Sequence, residues 1–327
     1  MRMIFATWLE WFVPKAELTF SYPANRQLMG RSSLARNYPT LFGCSEGAAG
    51  RVVVVGLPYD RGTAPEHAGS AAAPQVLRRL SAPEVLRVKQ GQLFDLARRE
   101  VVFPGHVVSD LGDLRFRPNQ SDDDYQEFVT HAVSLVACEG KRPLVLGGDH
   151  LVTLFALRGL ARAGRKVQIV QLDAHNDYDA TVSGERPTHA TFISFVVAEG
   201  LAEKVIQIGV RGLSWGPPPI PDGVVCVELS GLCAALLPEI DVYLTVDTDA
   251  FDPPIAPAVH YPEPGGLTFF ALGEVINLLR AAGLRGAGAD WTEYSPGLDT
   301  PNQLTGRFIL QGLAQVIRYL SEEDQLP

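Results

Sequence analysis

Short apolar runs rich in β-branched residues recur along this chain, and they constrain its fold more than any other feature. Residues 52–55 are four consecutive valines between Arg51 and Gly56, and comparable runs lie at 143–146, 167–172, 205–210, 224–229 and 242–246. A strand with one face in water alternates polar and apolar side chains. A run without alternation suits a strand covered on both faces, hence a parallel sheet between helices. A weaker run, 286–291, is built mainly of small residues. Helical spacing fills the intervals. Asp124 can cap a helix to Ala137 that Gly140 ends, 151–163 stops at Gly164, Thr268 can cap 269–282 before Gly283, and a last helix covers 306–320. This alternation predicts an α/β fold of three layers, with helices on both faces of a mostly parallel sheet. No repeat, low-complexity tract or Ser/Gly linker divides it, so residues 51–327 read as one domain. Residues 1–50, with aromatics and little periodicity, read as an N-terminal extension.

A chain of 327 residues, 46% hydrophobic, is long enough for a sizeable core. A net charge of −9 with no basic run argues against a nucleic-acid binder. No stretch approaches the ~20 apolar residues of a membrane span. The apolar segment 4–13 is interrupted by Glu10 and followed by Lys15 and Glu17, unlike a secretory signal. Cys44, Cys138, Cys226 and Cys233 are scattered without a CxxC, read as small buried apolar residues, and fit a reducing, cytoplasmic compartment.

In parallel sheets, ligands sit beyond the carboxyl ends of strands. After 143–146 comes Gly147-Gly148-Asp149-His150; after 167–172, Asp173-Ala174-His175-Asn176-Asp177; after 242–246, Asp247-Thr248-Asp249-Ala250-Phe251-Asp252-Pro253. One strand-end aspartate alone is as readily a turn residue as a ligand. Three such sets in one chain point to chemistry. Several carboxylates gathered in a partly buried space repel one another and lose hydration, and divalent cations relieve both costs. Carboxylates and imidazoles without thiolates suit manganese, and also zinc, iron or nickel. More ligands than one ion needs suggests two ions.

These three sets resemble the signature motifs of the ureohydrolase family, which includes arginases and agmatinases. Val54 to Gly62, Ile208 to Gly212, and Pro262 to Thr268 are similar to further segments of that family, and the likeness runs from about residue 50 to 320. The resemblance implies an arginase-like αβα sheet of about eight strands and two Mn²⁺. His150, Asp173, Asp177 and Asp247 would hold one ion; Asp173, His175, Asp247 and Asp249 the other, with Asp173 and Asp247 bridging. Asp252 would support a turn and Asp149 would back the ligands. His189 would shuttle a proton and Glu293 would hold a guanidinium; with Asp177 they form the candidate catalytic set. The resemblance further implies a small cationic guanidino substrate, urea and an amine as products, and a homo-oligomer, trimer or hexamer.

The chain departs from the family pattern at Ala190 after the shuttle histidine, at Leu151, in the loop 64–69, and at Ala258-Val259-His260-Tyr261. Asp179 stands where arginases present an asparagine, and the spacing from Ser183 to His189 differs. An agmatine or guanidino-acid substrate is therefore favoured over L-arginine, with the Asp179 carboxylate suited to a distal amine. His260 and Tyr261 either shape a different pocket or cover a subunit contact. A formimidoylglutamase-like hydrolase, a single-zinc deacetylase and an inactive metal-binding relative with a regulatory role are the competing readings.

Overall fold

The run 52–55 forms a strand whose side chains are all buried, each contributing about 1.5–3 kcal/mol relative to an exposed position. The computed structural model describes residues 39–86, 93–96, 99–178, 186–214, 216 and 219–322, all within the compact unit Arg36–Pro327. Its strands are β1 (Ser45–Glu46), β2 (Val52–Gly56), β3 (Leu93–Asp95), β4 (Glu100–Phe103), β5 (Val108–Asp113), β6 (Arg142–Leu146), β7 (Val167–Leu172), β8 (Val205–Ile208), β9 (Val224–Cys226), β10 (Asp241–Asp247) and β11 (Gly286–Thr292). The helices are α1 (Ala73–Leu80), α2 (Pro83–Leu86), α3 (Asp122–Cys138), α4 (Val152–Arg162), α5 (Phe192–Ala198), α6 (Leu232–Ala235), α7 (Ala271–Ala281) and α8 (Leu304–Ser321).

Nine strands form one sheet in the order β1-β5-β2-β6-β11-β10-β7-β8-β9. Every neighbouring pair in it is parallel. Among the described residues, β3 and β4 pair antiparallel, as a separate ribbon. β6, β7 and β11 are buried along their whole lengths, which explains their mostly apolar or small-residue sequences.

Several boundaries differ from expectation. Helix α3 begins at Asp122, and its cap is Ser121, whose Oγ accepts the N–H of Asp124 at 3.1 Å. The residue expected to cap is the one being capped. Helix α7 starts three residues after Thr268, which supplies its backbone carbonyl to Ala271 N. Residues 41–50, grouped with the extension by sequence, contribute β1 and the buried Leu41 and Phe42 to this same unit. The cysteines correct the sequence reading: only Cys44 is buried, because Cys138 ends a helix, Cys226 ends the edge strand β9 and Cys233 lies on the short α6.

Strand β5 reads Val-Ser-Asp-Leu-Gly-Asp and has no apolar run to announce it. Its charges are neutralised from outside the strand. The guanidinium of Arg78 donates to both oxygens of Asp110, at 2.8 and 2.9 Å, and to Asp113. All three are nearly inaccessible to water. Burial pushes Asp110 up, but Arg78 and the N–H groups of Leu41 and Gly112 outweigh it and hold the carboxyl below its usual range.

Candidate metal centre and substrate pocket

The four adjacent central strands β6, β11, β10 and β7 deliver polar residues from their carboxyl ends to one space. β6 leads into Gly147 to His150 and β7 into Asp173 to Asp177. β10 ends at Asp247 before the turn Thr248–Ala250, and β11 ends at Thr292 before Glu293. Gly148 is obligatory in the first turn, because a Cβ there would collide with the carbonyl of Tyr59. That carbonyl accepts Asp149 N at 2.8 Å.

His150 Nδ1 lies 3.0 Å from Asp173 Oδ2, 3.0 Å from Asp247 Oδ2 and 3.2 Å from Asp177 Oδ2. None of these oxygens lies in line for a hydrogen bond, so the buried nitrogen has no conventional partner. One ring nitrogen and three carboxylate oxygens crowded together are arranged as ligands around a cation. On the other side of Asp173, His175 Nδ1 lies 3.0 Å from Asp249 Oδ2 and 3.7 Å from Asp173 Oδ1. Two groups able to hold an ion result, His150–Asp173–Asp247 and Asp173–His175–Asp249, sharing Asp173. Asp247 belongs to the first group; its Oδ1 accepts Asp249 N at 2.8 Å.

The electrostatics show what the cluster lacks. Burial, with Asp173 beside it, raises Asp177 to about 7. Burial also raises Asp247, beside Asp249 and Asp173, and Asp249, beside Asp173. For Asp173 burial acts upward too, but the imidazoles of His150 and His175 beside it win and hold it below the usual range. The neighbouring carboxylates overcome burial at the imidazoles: Asp173 and Asp249 lift His175 to about 12, and Asp173, Asp177 and Asp247 lift His150 well above its ordinary value. Protons thus occupy positions that divalent cations satisfy better, and the residues fit a two-ion centre.

A second layer fixes these ligands, and it escaped the sequence reading. Gln171 Nε2 donates to Asp173 Oδ2 at 2.7 Å and Asp177 Oδ2 at 3.2 Å, and Gln207 Nε2 holds Gln171 Oε1 at 2.9 Å. His150 Nε2 meets Thr245 Oγ1 at 2.8 Å, and Thr245 donates to Asp290 Oδ1 at 2.6 Å. Asp290 Oδ2 receives Thr153 and Tyr243, each at 2.8 Å. The available signal was a polar side chain inside an otherwise buried strand, as at Gln171, Gln207, Thr245 and Asp290. Asp252 Oδ1 accepts Gly265 N at 2.8 Å and Gly266 N at 3.2 Å, a turn support away from the ligands. Arg211 braces that segment to the centre, donating to the carbonyls of Asp249 and Glu263 at 2.8 and 2.6 Å.

Glu293 Oε1 accepts His150 N at 2.9 Å and lies 3.2 Å from His189 Nδ1. Burial disfavours charge on His189, but Glu293 beside it outweighs this and raises its pKa. His189 is tied to the first loop through its N–H to Gly62 O at 3.2 Å, and Gly62 N donates to Asp149 Oδ2 at 2.5 Å. Burial, then Glu293, raises Asp149 to about 8. Asp177 and Glu293 both hold left-handed backbones, φ 52 and 59. Such strain costs about 1–3 kcal/mol each and persists where surroundings over-determine it. Here Asp177 O accepts Ile193 N at 3.0 Å, and Glu293 N donates to Gly148 O at 2.8 Å.

Tyr261 stands over the pocket, its ring centre 5.6 Å from that of His189, 6.3 Å from His175 and 4.9 Å from His67. His260 packs edge-on to His67 at 5.5 Å. Through Tyr261 and His67 the pair His260–Tyr261 therefore adjoins the candidate site. Asp179 and Ser183 lie outside the described residues.

Comparison with known proteins agrees with this geometry. The profile of the arginase family matches residues 50–218 and 227–317. Guanidinopropionase from Pseudomonas aeruginosa is 34% identical over 273 residues, 77% of this chain and 81% of the relative. The mitochondrial agmatinase of Gallus gallus is 30% identical over 262 residues, 75% of this chain and 74% of its own. The solved structure of proclavaminate amidino hydrolase from Streptomyces clavuligerus superposes with a TM-score of 0.72 at 25% identity, covering 88% of this chain and 98% of that one.

Proposed function

This chain belongs to the arginase family, and from that premise we propose that it is a two-manganese amidinohydrolase, cleaving a guanidino compound of agmatine or guanidino-acid type to urea and an amine. The observation that carries this reading is the pair of His/Asp groups joined by Asp173, set directly beside the Glu293–His189 pair. His150, Asp173, Asp177 and Asp247 would hold one ion and Asp173, His175 and Asp249 the other, with Asp247 able to bridge. When bound, the ions supply charge that makes water acidic near neutral pH and stabilises the oxyanion of the addition step.

The protein residues do the rest. Guanidinium is a poor electrophile because its charge is spread over three nitrogens. Among the described residues, both partners of the Glu293 carboxylate fall on Oε1, which leaves Oε2 to orient the guanidinium by a charge-assisted bond. Asp177, oriented by Gln171 Nε2 at 3.2 Å, accepts the proton that water gives up as it adds to the central carbon. His189 carries its proton on the ring that faces Glu293 and hands it to the departing amine as the carbon–nitrogen bond breaks. Tyr261 closes the mouth over both histidines and limits entry of bulk water. The balance is one water consumed, one C–N bond broken, and urea plus an alkylammonium released.

The family membership supports a homo-oligomer, proposed as a trimer or hexamer, and light scattering tests it. The four free cysteines accord with a cytoplasmic location; no described helix is long and apolar enough to cross a membrane. The experiment for activity is urea release by Mn²⁺-loaded protein across agmatine, L-arginine, 3-guanidinopropionate and 4-guanidinobutyrate. Urea that disappears with Asp249→Ala supports the reading. Two bound Mn²⁺ and no urea from any compound would sink it.

A further inference from the structure

Three neighbouring strands at one side of the sheet carry polar side chains directly opposite one another. In the sheet register Gln171 of β7 faces Gln207 of β8, and Gln207 faces Cys226 of the edge strand β9. Opposed residues of adjacent strands project to the same face, and so do Gln171 and Asp173, two positions apart. Gln171 and Gln207 are fully buried, whereas Cys226 is exposed. Two buried amides therefore lie between the aspartates and the sheet edge, a position that costs stability unless their polar atoms are bonded. Each amide has two N–H donors, and all four are committed. Gln171 Nε2 donates to Asp173 Oδ2 at 2.7 Å and to Asp177 Oδ2 at 3.2 Å. Gln207 Nε2 donates to Gln171 Oε1 at 2.9 Å and to the backbone carbonyl of Asn176 at 2.7 Å. Gln207 Oε1 accepts from the Cys226 thiol at 3.2 Å.

Turning either amide over would set oxygen against oxygen: at Gln171 against two carboxylates, at Gln207 against Gln171 Oε1 and the Asn176 carbonyl. The ladder therefore has one direction, with its donors pointing toward the metal loop. Gln207 grips that loop twice. Through Gln171 it keeps N–H groups on the carboxylates. Through Asn176 O it pins the peptide that enters Asp177, whose backbone is left-handed at φ 52. The peptide that leaves Asp177 is pinned by Ile193 N of α5 at 3.0 Å. The grip falls on one ion position. The two oxygens that Gln171 touches, Asp173 Oδ2 and Asp177 Oδ2, are those lying 3.0 and 3.2 Å from His150 Nδ1. The other oxygen of Asp173, Oδ1, lies toward His175.

Resting on the two-ion reading of the centre, we propose that Gln207, which bonds to no ligand side chain, is a positioning residue for the ion on the His150 side: it sets the direction of the Gln171 amide and the backbone at Asp177, and so controls the affinity of that position separately from the one on the His175 side. The Cys226 thiol completes Gln207 at the sheet edge.

The test is calorimetric titration of Mn²⁺ into the metal-free wild type, Gln207→Met, Gln171→Met and the double variant. Methionine keeps the length of glutamine and removes both donors. Gln207→Met should weaken one binding step at least about tenfold, the scale of losses from groups that orient metal ligands, and leave the other within about threefold. In an Asp249→Ala background, which removes a ligand of the His175-side ion, the remaining step should fall by the same factor. The double variant should bind no more than about threefold worse than the weaker single variant, because two links of one chain are not additive. A role confined to general stability would weaken both steps alike. That result, or losses that multiply in the double variant, or a change below about threefold at both steps, would overturn the positioning role and leave the two-ion reading standing. A wild type that binds no Mn²⁺ would overturn both. If Gln207→Met shows no cooperative thermal melt, Gln207→Asn, which withdraws the amide by one methylene, replaces it with the same site-selective loss expected.

Discussion

Replacing Thr245 by valine should weaken one of the two metal positions and spare the other. Three hydroxyls, from Thr245, Thr153 and Tyr243, donate to the buried Asp290. The only hydrogen on Thr245 Oγ1 is therefore spent on Asp290, and its lone pair is left to accept from His150 Nε2 at 2.8 Å. That arrangement puts the ring proton on Nε2 and turns an Nδ1 lone pair toward Asp173, Asp177 and Asp247, as a metal ligand requires. Valine keeps the shape but strands a buried N–H, at about 1–3 kcal/mol, and removes the tautomer preference. Losses of this kind reduce metal affinity about 10–100-fold, or about 1.4–2.7 kcal/mol. Calorimetric titration of Mn²⁺ into the metal-free protein reads both sites. The site built on His150 should weaken by that factor, the site on His175 and Asp249 should hold, and Thr245→Ser should restore the first. Equal affinities at both sites in wild type and Thr245→Val would refute the relay.

The metal-free protein should lose stability as pH rises. Asp177 and Asp149 titrate at about 7 and about 8 in the fold, above their unfolded value of about 3.9. The stability from those bound protons is complete below about pH 4 and is lost as pH rises through 7 to 8. Mn²⁺ replaces protons, so thermal melts should separate progressively from pH 6 to 8.5 with and without chelator; parallel curves would count against the cluster. Arg78→Leu leaves Asp110 and Asp113 buried without their cation, and urea unfolding should report a loss of about 3–5 kcal/mol. Less than about 1 kcal/mol would mean water reaches that network. Gly148→Ala forces β6 away from Tyr59 and should lower both melting temperature and Mn²⁺ binding; a wild-type melt with intact binding would contradict the close approach.

The sequence by itself determined the layers and pointed to most of the candidate ligands. Strands covered on both faces are mostly apolar, so β2, β6, β7 and β10 were visible as runs. Because ligands gather beyond the carboxyl ends of such strands, the histidines and aspartates after them stood out in place. Strand β5 was invisible, since its charges are answered by Arg78, 32 residues before Asp110. The relay from His150 through Thr245 to Asp290 exists only because β10 lies beside β11, an adjacency no local pattern encodes. The same holds for Glu293, 104 residues from His189. Local composition fixes which segments bury themselves. Tertiary structure decided which buried polar groups find one another, because hydrogen bonds and charge pairing act over a few ångströms of space, regardless of separation along the chain.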